Sequence, residues 1–128
     1  MAREINVLLV DDKPTVRNTI KNVLKIASPT YTCKFEEAMS GEDALEAVRQ
    51  KDFDIVILDM KLPGINGIET LKEMRKLTEH KLGRVIVLTG SIELENESEA
   101  IRLGAFQYLT KDPIDFDKLK GAFEAALQ

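Results

Sequence analysis

Asp11 and Asp12 in tandem, a third carboxylate at Asp59, the hydroxyl of Thr89 and the ammonium of Lys111 are the side chains of this sequence best suited to chemistry. Each follows an apolar run: Val7-Leu8-Leu9-Val10, Ile55-Val56-Ile57-Leu58, Val85-Ile86-Val87-Leu88 and, more weakly, Phe106 to Thr110. An unpaired carboxylate beside a core is costly, so Asp59 needs a reason to be there. We read it as a nucleophile. If the four run ends share one face, three carboxylates meet, and their mutual repulsion calls for a cation. Hard oxygen ligands of this kind suit Mg²⁺, with Mn²⁺ as its substitute. A phosphoryl group arriving on Asp59 would be clamped by the metal on one side and Lys111 on another, with Thr89 donating a hydrogen bond. Carboxylate attack on phosphorus, giving an aspartyl phosphate, is an established form of covalent catalysis.

The elements that must position these groups follow from periodicity. Residues 4–10 and 54–58 end in the apolar runs Val7–Val10 and Ile55–Leu58, followed by turn signals, which predicts strands buried on both faces of a parallel sheet. Pro14 suits the first turn of a helix that carries Val16, Ile20, Val23, Leu24 and Ala27 and stops before Ser28-Pro29. In Tyr31–Ala38, Tyr31, Cys33 and Phe35 alternate with polar residues, as expected of an edge strand. Ser40 caps a helix with Asp43 as a weakened capping-box partner, and that helix ends near Gln50-Lys51. A third helix starts near Gly67, buries Ile68, Leu71, Met74 and either the stem of Arg75 or Leu77, and fades at His80 to Gly83. Arg84–Thr89 is a strand, 95–103 a Glu-rich helix stopped by Gly104, and 106–110 a last short strand at the other edge. Asp115 caps a final helix with Phe116, Leu119, Phe123, Ala126 and Leu127 on one face. Five strands alternating with five helices predict one α/β domain over residues 1–128, a doubly wound parallel sheet with the three most apolar strands central; we expect the flavodoxin-like order 2-1-3-4-5.

Composition narrows the function classes. A chain of 128 residues, 44% hydrophobic and 31% charged, reads as one globular domain. The net charge of -4 and the lack of a basic cluster argue against direct grip on nucleic acid or an anionic membrane. No run approaches a transmembrane span, and no signal-peptide core is present. The single cysteine, Cys33, reads as a small apolar filler and suits a reducing cytoplasm. His80 reads as a solvated loop residue, and Glu93, Glu95, Glu97 and Glu99 as a solvated face that would favour a basic partner.

Taken singly, the site fragments stay ambiguous. Asp11-Asp12 could be a helix cap, Thr89 an ordinary strand-end hydroxyl, and Tyr108 an edge-strand packing residue. Taken in order, Asp11-Asp12, Asp59 with Leu62-Pro63-Gly64 and Asn66-Gly67, Thr89, Gly104-Ala105 and Tyr108-Leu109-Thr110-Lys111 resemble the receiver domain of two-component response regulators. The resemblance covers nearly the whole chain. It implies a phosphorylation-activated switch fed by a sensor histidine kinase or a histidine phosphotransfer protein. It implies Asp59 as phosphoacceptor, Asp12 as a direct Mg²⁺ ligand, Asp11 as a ligand acting mainly through water, and the Lys61 carbonyl as a further ligand. Thr89 and Tyr108 would form the switch pair. The fourth helix, last strand and last helix would carry the signal to an output partner, or pair two copies of the domain.

Three departures stand out. The family places proline directly after the active-site lysine, whereas Asp112 intervenes in Lys111-Asp112-Pro113. Gly90 stands where alanine is common, so the loop after Thr89 should be more mobile. Lys61 and Ser91 occupy positions that tune dephosphorylation in the family. Two other classes compete. A Mg²⁺-dependent phosphatase with an aspartyl nucleophile would need a substrate-recognition cap, for which the chain has no insertion. A flavin module would need hydroxyl and glycine donors after the first strand, where Asp11-Asp12 would repel phosphate.

Overall fold

The computed structural model describes residues 3–27, 31–77, 80–90, 94–111 and 113–128. The elements run β1 (Arg3–Val10), α1 (Pro14–Ala27), β2 (Tyr31–Ala38), α2 (Gly41–Gln50), β3 (Ile55–Leu58), α3 (Gly67–Lys76), β4 (Arg84–Thr89), α4 (Leu94–Arg102), β5 (Gln107–Thr110) and α5 (Phe116–Ala126). All strand pairs are parallel, in the order β2-β1-β3-β4-β5. This is the doubly wound arrangement that the alternation predicts. Expectations for Ser28-Pro29, Ser91, Glu93 and Asp112, including the peptide geometry around Asp112, lie outside the described residues.

Strand alternation divides the apolar residues between two layers. Leu8, Val10, Val56, Leu58, Val85 and Val87 face α2, α3 and α4, where Leu45, Leu71, Met74 and Ala100 meet them. Ile5, Val7, Leu9, Ile55, Ile57, Ile86 and Leu88 face α1 and α5, against Ile20, Leu24, Leu119 and Phe123. Each fully buried side chain of this size contributes roughly 2 kcal/mol, so the central strands are the most firmly held part of the sheet. Cys33 packs against the second layer, and burial pushes its thiol pKa up, as an apolar filler should show.

The helix signals hold where local chemistry decides them. Ser40 Oγ accepts from the Asp43 amide, Asn66 Oδ1 from Glu69 and Asp115 Oδ1 from Lys118, three N-caps of ordinary geometry. Gly104 closes α4 at φ +94, the left-handed conformation that glycine alone takes without strain. Two expectations need correction. The third helix stops at Lys76 instead of fading at His80, because Leu77 turns to extended backbone, leading into a connection that Phe53 and Arg84 hold through the Lys81 and Asp54 carbonyls. Phe116 is 57% exposed and outside both layers, whereas Leu119, Phe123 and Ala126 of the same helix are buried. It sits in the first turn of α5, at the end of the helix where the layer begins.

Two arginines on the molecule's flanks make specific ties. Arg75 of α3 donates from Nε to the Leu103 carbonyl at 2.8 Å and from Nη2 to the Gly104 carbonyl at 2.7 Å, gripping the C-terminal end of α4. A cation there complements the helix dipole. Arg84 lies 4.8 Å over the Phe106 ring.

Candidate phosphoacceptor site

The register of the sheet brings the run ends together. Val10 pairs with both Ala38 and Leu58, Leu58 pairs with Val87, and Thr89 pairs with Thr110. The backbone ladder continues past the strands: Asp11 N–H donates to Ala38, Asp59 N–H to Val10 and Lys111 N–H to Thr89. Asp11, Asp59, Thr89 and Lys111 therefore leave the same edge of the sheet from neighbouring strands. This is the carboxyl-end crevice where open α/β sheets bind ligands.

Asp11 and Asp59 are 3% and 4% exposed, while Asp12 is exposed. Carboxylate oxygens of all three lie within 4.8 Å of one another. Lys111 Nζ sits between the two buried ones, 2.5 Å from Asp11 Oδ2 and 2.9 Å from Asp59 Oδ2. Burial pushes the Lys111 pKa down, but its bonds to the two carboxylates outweigh this and leave it above the usual lysine value. The other carboxylate oxygens are oriented locally, Asp11 Oδ1 by the Lys13 amide at 2.9 Å and Asp59 Oδ1 by the Lys61 amide at 3.2 Å. Gly67 seals the turn after Asp59. A Cβ there would stand 2.6 Å from the Asp59 carbonyl oxygen and 2.5 Å from Met60 Cα, so only glycine lets α3 start so close to this peptide.

Thr89 is 1% exposed, and its hydroxyl makes no hydrogen bond among the described residues. A buried donor without an acceptor costs about 1–3 kcal/mol. Tyr108, 8% exposed, packs in the layer with Val87, Ala100 and Ala105, next to the strand that ends in Thr89. Gly90 faces open space, with room for a methyl group. His80 lies on the surface with Nδ1 3.1 Å from Asp52 Oδ1. The Lys81 amide and His80 together hold the Asp52 carboxyl below its usual range.

Sequence reasoning missed Arg17. It is 8% exposed and bridges the Asp11 carbonyl (Nη1, 2.7 Å) and Glu37 of β2 (Nε, 2.8 Å), and Lys21, one turn further on, joins Glu37 at 3.1 Å. The signal was present only as an arginine beside the apolar stripe of α1, and it becomes legible once the β1–β2 register places Glu37 opposite. Arg17 first, then Lys21, holds the Glu37 carboxyl below its usual value. A lowered carboxyl pKa stabilises the fold above the unfolded value and loses that contribution as pH falls through the folded one. Glu37→Gln should therefore lower stability at neutral pH by under about 1 kcal/mol, discounted for exposure. The gap from wild type should close below about pH 4.3. Urea unfolding at several pH values in EDTA checks this; a gap that widens in acid would contradict it.

The fold and this edge define a class: an open five-stranded parallel sheet with an acidic, lysine-bridged pocket at its carboxyl end. Residues 7–124 match the response regulator receiver domain family. Over 120 residues the chain is 37% identical to the nitrate/nitrite response regulator protein NarL of Escherichia coli (strain K12), covering 94% of this chain and 54% of that protein. It thus spans about half the length of that relative. A response regulator receiver domain protein (CheY-like) from Methanospirillum hungatei JF-1 superposes with TM-score 0.81 at 25% identity, covering 99% of this chain and 94% of that one. A response regulator protein from Burkholderia pseudomallei, solved with a phosphorylated aspartic acid, calcium ion and citrate, gives TM-score 0.75 at 25% identity over 97% of this chain and 66% of that one. The chain belongs to the response regulator receiver domain family, whose members are signalling proteins of two-component systems. Among the described residues, no helix is long and apolar enough to cross a membrane.

Proposed function

We propose that residues 1–128 form one receiver domain in which Asp59 accepts a phosphoryl group from a histidine kinase or histidine phosphotransfer protein in the cytoplasm. The observation that carries this reading is the Asp11–Lys111–Asp59 bridge, with Asp12 beside it. The donor set fits Mg²⁺ or Mn²⁺. Carboxylate oxygens of Asp11, Asp12 and Asp59 lie within 4.8 Å of one another, hard donors of the kind such an ion takes. By the family resemblance, Asp12 and Asp59 would bind it directly and Asp11 mainly through water. The Lys61 carbonyl would complete the protein's share. When bound, the ion neutralises the carboxylates and the incoming phosphoryl oxygens.

The chain's own residues supply the rest. An Asp59 carboxylate oxygen attacks phosphorus, the bond to the donor breaks, and the donor leaves with that electron pair. Lys111 swings its ammonium from Asp59 to a phosphoryl oxygen and keeps Asp11. Thr89 donates its unused hydroxyl proton to another, and Tyr108 follows into the space that Thr89 leaves. The change spreads over α4, β5 and α5, the face we assign to an output partner or to a second copy of the domain. Lys61, two residues after Asp59, would hinder or reposition the hydrolytic water and so set the phosphoryl lifetime, in a domain that assists its own phosphorylation and dephosphorylation. The phosphorylated aspartic acid in the Burkholderia pseudomallei relative supports the assignment by analogy.

Incubation with acetyl phosphate and Mg²⁺ should add one phosphoryl group by intact mass, and EDTA should prevent it. Where decay outruns detection, beryllofluoride should shift amide resonances around Asp59 and Thr89. Neither adduct nor shift would sink the reading.

A further inference from the structure

Asp11 is fixed at every polar atom. Its amide is held by Ala38, its carboxylate by Lys13 and Lys111, and its carbonyl by Arg17. Asp12 is different: it is exposed, and among the described residues nothing holds its carboxylate. The backbone that carries it begins at the Asp11–Asp12 peptide, whose oxygen is the one that Arg17 grips. Arg17 is in turn braced by Glu37, which Lys21 shares. Burying a guanidinium is expensive, and a neutral side chain would suffice to fill the space. The charge has a use, however. The guanidinium donates at once to the Asp11 carbonyl and to the Glu37 carboxylate, tying the turn after β1 to β2.

We propose that Arg17 is a positioning residue for the metal-binding turn: it sets the Asp11–Asp12 peptide so that Asp12 meets the ion. The inference rests on the metal reading above and adds to it a residue that would touch neither the ion nor the phosphoryl group. The depressed Glu37 carboxyl agrees with a tight Arg17–Glu37 contact.

The test is Mg²⁺ affinity by titration calorimetry on wild type, Arg17→Met, Arg17→Lys and Glu37→Gln, with thermal unfolding in EDTA run alongside. Removing an outer partner of a ligand typically weakens metal binding 10–100-fold, so Arg17→Met should raise the dissociation constant about tenfold. The Mg²⁺ needed for half-maximal phosphorylation by acetyl phosphate should rise by the same factor, with the rate at saturating Mg²⁺ within about twofold of wild type. Arg17→Lys, which keeps the charge but can reach only one partner, should fall between them. Glu37→Gln should move in the same direction by less. A residue that merely stabilises the fold would lower the melting temperature and leave the affinity alone. A folded Arg17→Met that binds Mg²⁺ as wild type does would overturn the proposal. If that variant does not fold, wild-type affinity in both Arg17→Lys and Glu37→Gln would overturn it instead. A wild-type protein that takes up no Mg²⁺ would fail the metal reading itself and this inference with it.

Discussion

Asp59→Asn should take up no phosphoryl group from acetyl phosphate and, without metal, should unfold at higher denaturant than wild type. The first half follows from removing the nucleophile: an amide oxygen offers no anionic lone pair to phosphorus. The second half follows from counting charges. Asp59 has one attractive neighbour, Lys111 at 2.9 Å, and two repulsive ones in Asp11 and Asp12. At an effective dielectric constant of about 20, each pair at such range amounts to a few kcal/mol, so the terms of opposite sign largely cancel. What remains is the cost of keeping a charge that is 4% exposed. The amide avoids that cost, fills the same space and still offers an oxygen to Lys111. A gain on the order of 1 kcal/mol is expected, an instance of an active site held at the expense of stability. Intact mass and urea unfolding in EDTA check both halves. A phosphoryl adduct of undiminished yield in this variant would move the acceptor elsewhere.

Lys111→Met should have the opposite effect on stability. Among the described residues, Nζ is the only cation between Asp11 and Asp59, whose side chains are 5% and 4% exposed. Removing one partner of a buried ion pair typically costs about 3–5 kcal/mol, because the other charge is left uncompensated. Here two carboxylates would be left facing each other, and about 3 kcal/mol in EDTA is a conservative figure. Mg²⁺ should recover much of that loss, since a divalent ion can do what the ammonium did. Stability in this variant should therefore depend on Mg²⁺ more steeply than in wild type, read as the shift of the urea midpoint with added ion. Equal shifts in the two proteins would mean that Lys111 and the ion do not answer the same charge. Phosphorylation should also slow, because no ammonium remains to meet the phosphoryl oxygen.

The two variants draw on features of unequal visibility in the sequence. Asp59 stood out because four apolar residues run straight into it, but it gained its meaning from Asp11, Asp12, Thr89 and Lys111 at the neighbouring strand ends. Lys111 gained meaning only from its order after Tyr108-Leu109-Thr110 and from strand alternation, which put its strand beside Thr89. Arg17 could not be read, because its partners are a backbone carbonyl and a glutamate brought near by a register that no local pattern encodes. Phe116 was misread for a related reason. Helical periodicity says which residues share a face, but not where along the helix the layer beneath begins. The early stop of α3 at Lys76 is likewise decided by the connection to β4, through the Phe53–Lys81 and Asp54–Arg84 backbone bonds, and not by residues 77–83 alone.

The grip of Arg75 on Leu103 and Gly104 turns α4 into a lever with its fulcrum at the far end from Thr89. Nine residues at 1.5 Å each give an arm of about 13 Å. A tilt of about 10° around that fulcrum carries the first turn of α4 through about 2 Å while the last turn stays in place. In the switch reading proposed above, a displacement at the end of β4 would move the first turn of α4 most and leave its last turn held by Arg75.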